Sequence, residues 1–255
     1  ALETMTPDEI NRIEPNGSTA LHAASFFGHA DIVRLILEKP SASRSIRNKY
    51  GLTAAEEAKN VQIQELFQRQ NGTNRFIGEA NIEWRKVDQN ILKEIAEKRK
   101  EFNVEWKNPN IDYYVNAIRR DYLDNSLRNI KSIDVIRWFF SKAAKEQDPT
   151  YLVKAYTVEA DYYKVLNQQL STTHESDRHD FATDGRRRLL QILTSHPSLE
   201  RYTFSGHTYR SMYVTEDELK DYYVGTRFMN KTFLSTSKDR QIAEIFSISS
   251  KKSDQ

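Results

Sequence analysis

The sequence of 255 residues contains no cysteine. Disulfide bridges, thiolate nucleophiles and zinc sites with cysteine ligands are therefore excluded. The six histidines are scattered along the chain, so the sequence predicts no metal cluster. Long apolar runs are also lacking, because stretches such as Ile32-Val33 and Leu35–Leu37 are far shorter than the roughly 20 residues that cross a bilayer. We therefore expect neither a metal site nor a membrane-spanning segment.

An excess of either charge is lacking as well, since 38 Lys and Arg residues face 36 Asp and Glu residues. A formal net charge of +2 predicts no nucleic-acid-binding surface and no membrane-binding patch. The polar N-terminal sequence ALETMTPDEI is not a secretory signal. Apolar residues make up 38% of the chain, which is enough to bury a core and excludes wholesale disorder. These features predict a globular cytoplasmic protein without nucleic-acid or membrane partners.

A short pattern occurs twice near the N-terminus, at residues 16–24 (NGSTALHAA) and at residues 49–58 (KYGLTAAEEA). Gly17 and Gly51 are 34 residues apart, close to the ankyrin period of about 33 residues. Between the copies, residues 28–37 (GHADIVRLIL) predict a helix with one apolar face. This arrangement resembles an ankyrin repeat.

The ankyrin resemblance also gives individual residues an interpretation. Ala20 stands where the family prefers proline, and His22 and His29 occupy positions at which ankyrin repeats carry a structural histidine. Both histidines are therefore interpreted as hydrogen-bonding residues of turns and helices rather than as ligands. The second copy is rich in glutamate, as in a capping repeat. Because so few repeats rarely fold alone, either earlier repeats precede Ala1 or these helices pack on the rest of the chain.

Beyond the repeats, the patterning changes from helical to strand-like. Apolar periodicity predicts helices over residues 83–107, 113–123, 132–140, 151–170 (with a short break near 157–160) and 181–194. Short aromatic and apolar runs predict strands over residues 201–204, 208–213, 222–224, 231–235 and 245–248. Residues 70–74 are the best linker candidate, and residues 171–180 are expected to form an exposed loop. Helices followed by strands favour an α+β fold.

These patterns divide the chain into three parts. We assign residues 1–70 to an ankyrin-like module and residues 71–130 to a helical connector or the first helices of the next domain. Residues 131–255 are then an α+β domain. By family analogy, the ankyrin-like module implies a protein partner.

Two segments of the strand-like part contain the candidate site. The first, residues 206–211 (GHTYRS), contains Arg210, and the second, residues 225–237 (GTRFMNKTFLSTS), ends in Ser235-Thr236-Ser237. Together with the helical stretch 152–170, they resemble the mono-ADP-ribosyltransferase family, in which Arg, Ser-Thr-Ser and Glu-x-Glu lie on three strands around an NAD cleft. The resemblance covers residues 110–255. Combined with the ankyrin-like module, it is similar to multidomain transferases of some invertebrates.

The resemblance implies an activity, a substrate and a set of site residues. It implies an NAD-dependent glycosyltransferase that moves ADP-ribose from NAD to a protein side chain, arginine by family default, and releases nicotinamide. It implies a small mixed-sheet transferase fold over residues 131–255, with NAD as a substrate and no metal. The implied catalytic residues are Arg210 and Ser235. The implied NAD-binding residues are Arg210, Ser211, Ser235, Thr236 and Ser237.

Physical chemistry agrees with these roles. The guanidinium of Arg210 binds phosphate and ribose oxygens in a fixed fork that a lysine lacks. Cleavage of the nicotinamide–ribose bond develops oxocarbenium character, which a carboxylate stabilises, and the family serine, here Ser235, orients that carboxylate. A hydroxyl suits this task because it both donates and accepts. Ser211 departs from the glycine that is usual in the family, yet it is small and keeps its N–H.

The sequence shows no clear candidate for the carboxylate itself. Only 18 residues follow Ser237, and the one glutamate among them, Glu244, lies in a predicted helix. Glu216-Asp217-Glu218 precedes Ser235 and follows Thr215, so it is interpreted as the acidic first turn of a helix. We therefore expect the catalytic glutamate to follow residue 255 in a chain that is truncated there. A degenerate transferase is the alternative, and it leads to a rival function: a catalytically inert fold acting as an ankyrin-repeat adaptor.

The run Arg186-Arg187-Arg188 is interpreted as a solvated helix face, with contact to a phosphate or an acidic partner as the alternative. His174 and His179 are interpreted as part of a polar loop rather than as metal ligands.

Overall fold

The computed structural model describes residues 4–67, 85–105, 110–158, 160–172, 181–210, 216–220, 222–230 and 232–240. The chain divides into two compact units, one built chiefly on residues 1–73 and the other chiefly on residues 74–255. Within the described ranges, no helix combines the length and the apolar character needed to cross a membrane.

The described part of the first unit, residues 4–67, contains four helices: α1 (Pro7–Ile10), α2 (Ala20–Phe27), α3 (Ala30–Leu37) and α4 (Val61–Leu66). Helix α2 ends at Gly28, whose φ of 81° lies in the left-handed region that favours glycine. The chain can therefore reverse at once into α3. The apolar faces of these helices form one core with buried Ile10, Leu21, Val33, Ile36 and Ile63.

The second copy of the repeat pattern packs on the first through its backbone. The N–H of Lys49 donates to the carbonyl oxygen of Gly17 at 2.9 Å, and the N–H of Lys59 donates to that of Ser25 at 3.1 Å. In place of a helix, the second copy forms turns over residues 54–57. The N-terminal helical repeats predicted from the sequence are therefore present, with a reduced second copy.

The second unit is mainly helical. Its helices are α5 (Gln89–Glu105), α6 (Asp112–Ile118), α7 (Asp124–Ser126), α8 (Ile133–Glu146), α9 (Thr150–Thr157), α10 (Tyr162–Thr172), α11 (Phe181–Ser195) and α12 (Glu216–Leu219). A π-helical turn, Arg119–Leu123, joins α6 to α7, and a 3-10 helix, Pro197–Tyr202, follows α11. The core contains large buried side chains from α6 to α11, among them Tyr122, Phe140, Leu152, Leu166 and Leu189.

Helices on both sides of residue 130 pack together in this core. Helix α8 packs against α6 and α9, while α11 packs against α6 and the π-helical turn. Residues 71–130 are assigned to a connector or to the first helices of the next domain, and the packing of α6 on α8 agrees with the second alternative. The predicted linker at 70–74 and most of the predicted loop at 171–180 lie outside the described residues.

Sheet structure is sparse in the described ranges. Strands β1 (Arg85–Lys86) and β2 (Phe228–Met229) form one antiparallel pair, in which Arg85 faces Met229. Isolated bridges join Arg47 to Thr53 and Tyr209 to Ser237. The described residues therefore do not support the mixed-sheet transferase fold.

Several predicted strands are wrong. Residues 201–202 belong to the 3-10 helix, and residues 222–224 form no strand. Both segments are exposed, and aromatic residues favour strands chiefly where they pack on a half-buried sheet. Within 208–213 and 231–235, the described residues form only the single bridge at Tyr209, while residues 245–248 lie outside the described ranges.

Candidate functional site

The two segments singled out in the sequence lie side by side. The N–H of Tyr209 donates to the carbonyl oxygen of Ser237 at 2.7 Å, and the N–H of Ser237 donates back to Tyr209 at 2.9 Å. This bridge places Arg210 beside the Ser235-Thr236-Ser237 triplet. Arg210 Nη1 donates a hydrogen bond of 2.7 Å to the carbonyl oxygen of Ser235, so the contact uses the backbone of Ser235 and not its hydroxyl.

Arg210 retains hydrogen-bonding capacity after this contact. The residue is half-buried, and burial lowers the pKa of its guanidinium while the nearby Tyr156 raises it. Its Nε is buried and has no hydrogen-bond partner among the described residues. A guanidinium stays protonated at all physiological pH values, so this is a buried cationic donor that protein groups leave unsatisfied.

A second group of side chains, from α9 and α10, supports the triplet. Asn167 Oδ1 accepts a hydrogen bond of 3.3 Å from the backbone N–H of Phe233, and Asn167 Nδ2 donates to the hydroxyl oxygen of Tyr156 at 2.9 Å. The rings of Tyr156 and Phe233 pack edge to face, with centroids 5.1 Å apart. Asn167 thus joins α9, α10 and the segment that leads to Ser235.

The remaining predicted site residues fall in different settings. Ser237 Oγ accepts a hydrogen bond of 3.0 Å from the N–H of Asp239, which commits this hydroxyl to a local turn. Thr236 is exposed, and Ser235 is half-buried. Ser211 lies outside the described residues, so its predicted role in NAD binding stays a prediction.

The acidic candidates also differ in placement. Glu216 begins α12, as interpreted from the sequence, and Asp217 in that helix pairs with Lys220 at 2.6 Å. Glu244 lies outside the described ranges. Within those ranges, no three His, Asp or Glu side chains lie close enough together to hold a metal ion.

The sequence alone did not identify Tyr156 and Asn167 as residues that support the segment leading to Ser235. Asn167 and Phe233 are 66 residues apart, and no local pattern links them. The one sequence signal that pointed to these residues was the family resemblance, which included residues 152–170 but assigned none of them a functional role.

A separate ion-pair cluster lies where the π-helical turn meets α11. The Asp121 carboxylate is only 7% exposed and accepts hydrogen bonds from Arg120 Nε at 2.6 Å and from Arg188 Nη1 at 3.2 Å. The hydrogen bonds from Arg120 are the main cause that holds the pKa of Asp121 below its ordinary value. The interpretation of residues 186–188 as a solvated face is therefore wrong for Arg188.

The two histidines of the ankyrin-like unit behave differently. His22 is buried, with Nδ1 at 2.8 Å from Thr19 Oγ1 and Nε2 at 3.1 Å from the carbonyl oxygen of Leu52. Since a carbonyl can only accept, Nε2 carries the proton and Nδ1 accepts from Thr19. His29 is exposed and its side chain makes no capping hydrogen bond to α3. Its backbone N–H donates to the carbonyl oxygen of Ala24 at 2.9 Å, and its own carbonyl oxygen accepts from the N–H of Val33 at 3.0 Å.

The ankyrin-like unit also exposes large apolar side chains on α2 and α3. Their exposed fractions are 57% for Phe26, 62% for Phe27, 46% for Ile32 and 51% for Leu35. Together these four residues form what we call the apolar face. An exposed apolar face of this kind is typical of a protein interaction surface.

Comparisons with known proteins support the first unit. Residues 16–49 match the ankyrin repeat family, so this segment is an ankyrin repeat. A stretch of 82 residues is 30% identical to Oxysterol-binding protein homolog 1 of Saccharomyces cerevisiae, and it covers 32% of this chain and 7% of that protein. The chain therefore spans a small part of this relative. No solved structure shows a significant match. None of these findings is a match to a mono-ADP-ribosyltransferase.

Proposed function

We propose that this protein transfers ADP-ribose from NAD to a protein side chain, arginine by family default, with release of nicotinamide. The observation that carries the proposal is the pairing of Tyr209 with Ser237, which brings Arg210 to the Ser235-Thr236-Ser237 triplet. These are the two motifs that the family resemblance places at an NAD cleft, and 25 residues separate Arg210 from Ser235.

The spare donors of Arg210 support NAD as the ligand. A guanidinium carries five N–H donors, and the hydrogen bond from Nη1 to the Ser235 carbonyl oxygen uses one of them. A guanidinium can bind phosphate oxygens through two parallel N–H bonds. Half-burial strengthens such a pair because the local dielectric is lower than in water. The pyrophosphate of NAD offers oxygens of this kind.

The proposed reaction breaks the bond between nicotinamide and the ribose C1′ carbon. Nicotinamide leaves as a neutral molecule with the bonding electron pair, and a nitrogen of the acceptor side chain bonds to C1′ and loses a proton. A carboxylate stabilises the positive charge that develops on the ribose, and the Ser235 hydroxyl orients it. We assign none of the described carboxylates to this role. Ser211, Thr236 and Ser237 complete the proposed NAD-binding set.

A titration of NAD into the protein tests the proposal. The wild type is expected to bind NAD, and Arg210→Lys to weaken the dissociation constant about tenfold because a lysine lacks the bidentate fork. Arg201→Lys, in the exposed 3-10 helix, is the matched control and should bind as the wild type does. Calorimetry measures both, and labelled NAD with an arginine-rich acceptor protein then reports transfer, which Ser235→Ala should reduce.

Failure to bind NAD by wild-type protein that is folded by circular dichroism would contradict the proposal. Equal affinity of wild type and Arg210→Lys would contradict the role of Arg210. Equal, measurable transfer by wild type and Ser235→Ala would remove Ser235 from the catalytic set.

A second candidate function is an adaptor in which the transferase-like part is inert. The apolar face of the ankyrin repeat favours this candidate, because ankyrin repeats generally bind proteins. The transfer assay separates the two functions, since a catalytically inert adaptor moves no ADP-ribose to the acceptor protein. The adaptor further requires that Leu35→Asp, on the apolar face, leave the unfolding midpoint unchanged while it weakens binding of a purified partner.

A further inference from the structure

We propose that Asn167 is the positioning residue of the Arg210 site, with Tyr156 as its anchor. The inference rests on the proposed function. Asn167 acts on Arg210 through the backbone of residues 233–235. Its amide holds this backbone at Phe233, and the carbonyl oxygen of Ser235, two residues further on, holds Nη1 of Arg210.

The hydrogen-bond geometry fixes the orientation of the Asn167 amide. The backbone N–H of Phe233 can only donate, so Oδ1 of Asn167 must face it and Nδ2 must face Tyr156. A reversed amide would place two donors against each other at Phe233. The Tyr156 hydroxyl oxygen, at 2.9 Å, accepts from Nδ2 and keeps the amide in this orientation.

Packing supports the same arrangement. The Tyr156 ring contacts Phe233 at a centroid distance of 5.1 Å and Tyr163 at 6.4 Å. Tyr156 also lies close enough to Arg210 to affect the pKa of its guanidinium. One tyrosine of α9 therefore touches the positioning amide, the positioned segment and the surroundings of the cation.

The arrangement fixes the half-buried guanidinium of Arg210 in one orientation. With Phe233 held by Asn167, the Ser235 carbonyl oxygen stays in place to accept from Nη1. Preorganised donors of this kind bind an anion without the cost of ordering the site.

Two variants test the inference. Asn167→Leu has nearly the same shape but neither hydrogen bond, and it should weaken NAD binding about tenfold with Arg210 untouched. Tyr156→Phe keeps the ring and loses only the hydroxyl, and it should weaken NAD binding about threefold. The double variant should bind NAD no more weakly than Asn167→Leu does, because both changes break the same chain of contacts. Gln168→Leu, on the exposed side of α10, is the matched control and should bind NAD normally.

Hydrogen exchange separates this inference from the proposed function. The backbone N–H of Phe233 should exchange slowly in wild type without NAD, rapidly in Asn167→Leu, and slowly again in Asn167→Asp, whose carboxylate also accepts from that N–H. Slow exchange at Phe233 combined with no NAD binding by wild type would overturn the proposed function and, with it, the role in NAD binding.

NAD binding by wild type and Asn167→Leu with equal affinity would overturn the inference alone. If Asn167→Leu fails to fold, Tyr156→Phe decides: an unchanged NAD affinity in that variant also overturns the inference.

Discussion

At the scale of single residues, Asp121 shows how strongly burial governs a charged group. Asp121 belongs to the π-helical turn, and its carboxylate pairs with Arg120 of the same turn and with Arg188 of α11. Breaking an ion pair with a buried member destabilises a protein more than breaking a surface ion pair does. Removal of the Asp121 charge should therefore destabilise the second unit more than removal of an exposed carboxylate.

Asp121→Asn is expected to lower the free energy of unfolding by about 1–2 kcal/mol at pH 7, because Asp121 is buried while its main partner Arg120 is exposed. The pKa of Asp121 is lower in the folded protein than its ordinary 3.8, so its stabilisation is complete at neutral pH and is lost as the pH falls below that value. The difference between variant and wild type should shrink as the pH falls below 3.8. Urea unfolding across this range measures it.

Asp124→Asn is the control for Asp121. The Asp124 carboxylate is 44% exposed and pairs with Arg137 at 2.7 Å. The substitution should therefore lower the free energy of unfolding by less than about 1 kcal/mol. Equal losses from the two variants would contradict the role assigned to Asp121.

The threonine that begins α2 gives a second test at this scale. Thr19 is buried and accepts from the N–H of His22 while its hydroxyl donates to His22 Nδ1. Thr53, at the corresponding position of the second copy, accepts from the N–H of Glu56 at an exposed site. Thr19→Ala should lower the free energy of unfolding by about 1 kcal/mol, and Thr53→Ala by about 0.5 kcal/mol. Thermal unfolding of both variants compares them, and a larger effect of Thr53→Ala would be the contrary result.

At the scale of elements, the close approach of α11 to the π-helical turn depends on Gly185. A β-carbon added there would lie 2.7 Å from the Cβ of Tyr122, a buried ring whose hydroxyl donates to Gln169 at 2.7 Å. A π-helical turn is rare in proteins and widens the helix at this point. The packing of α11 therefore relies on a position without a side chain.

Gly185→Ala tests this packing, because two effects of opposite sign compete. Alanine favours a helix over glycine by up to about 1 kcal/mol, while overpacking costs about 1–3 kcal/mol. Tyr122 is buried and cannot move aside, so we expect the variant to be less stable and its unfolding midpoint to fall. A midpoint above that of wild type would show that the helices can separate at no cost.

At the scale of the whole molecule, local patterns predicted the helices better than the strands. Helices α8 and α11 follow from apolar stripes within one segment; α11 ends one residue beyond its predicted end, and α8 continues six residues beyond the predicted 132–140. A strand requires a partner from elsewhere in the chain, so aromatic runs such as 201–204 and 222–224 do not identify one.

The candidate site shows the same difference between features with a local sequence pattern and features that depend on distant residues. Arg210 and Ser235 were found through a family resemblance, whereas the pairs Asn167–Phe233 and Arg188–Asp121 span 66 and 67 residues. Neither pair leaves a periodic signal, because each depends on how distant helices and segments pack.

The hydrogen bond from Arg210 to a peptide carbonyl has a consequence for NAD binding in solutions that contain other phosphorylated molecules. A carbonyl is a dipole and not an ion, so it aligns the guanidinium without cancelling its full positive charge. The proposed site should therefore attract other phosphorylated metabolites, and abundant nucleotides would compete with NAD for it. Phosphate buffer would mask binding for the same reason, whereas a non-coordinating buffer at low ionic strength would reveal it.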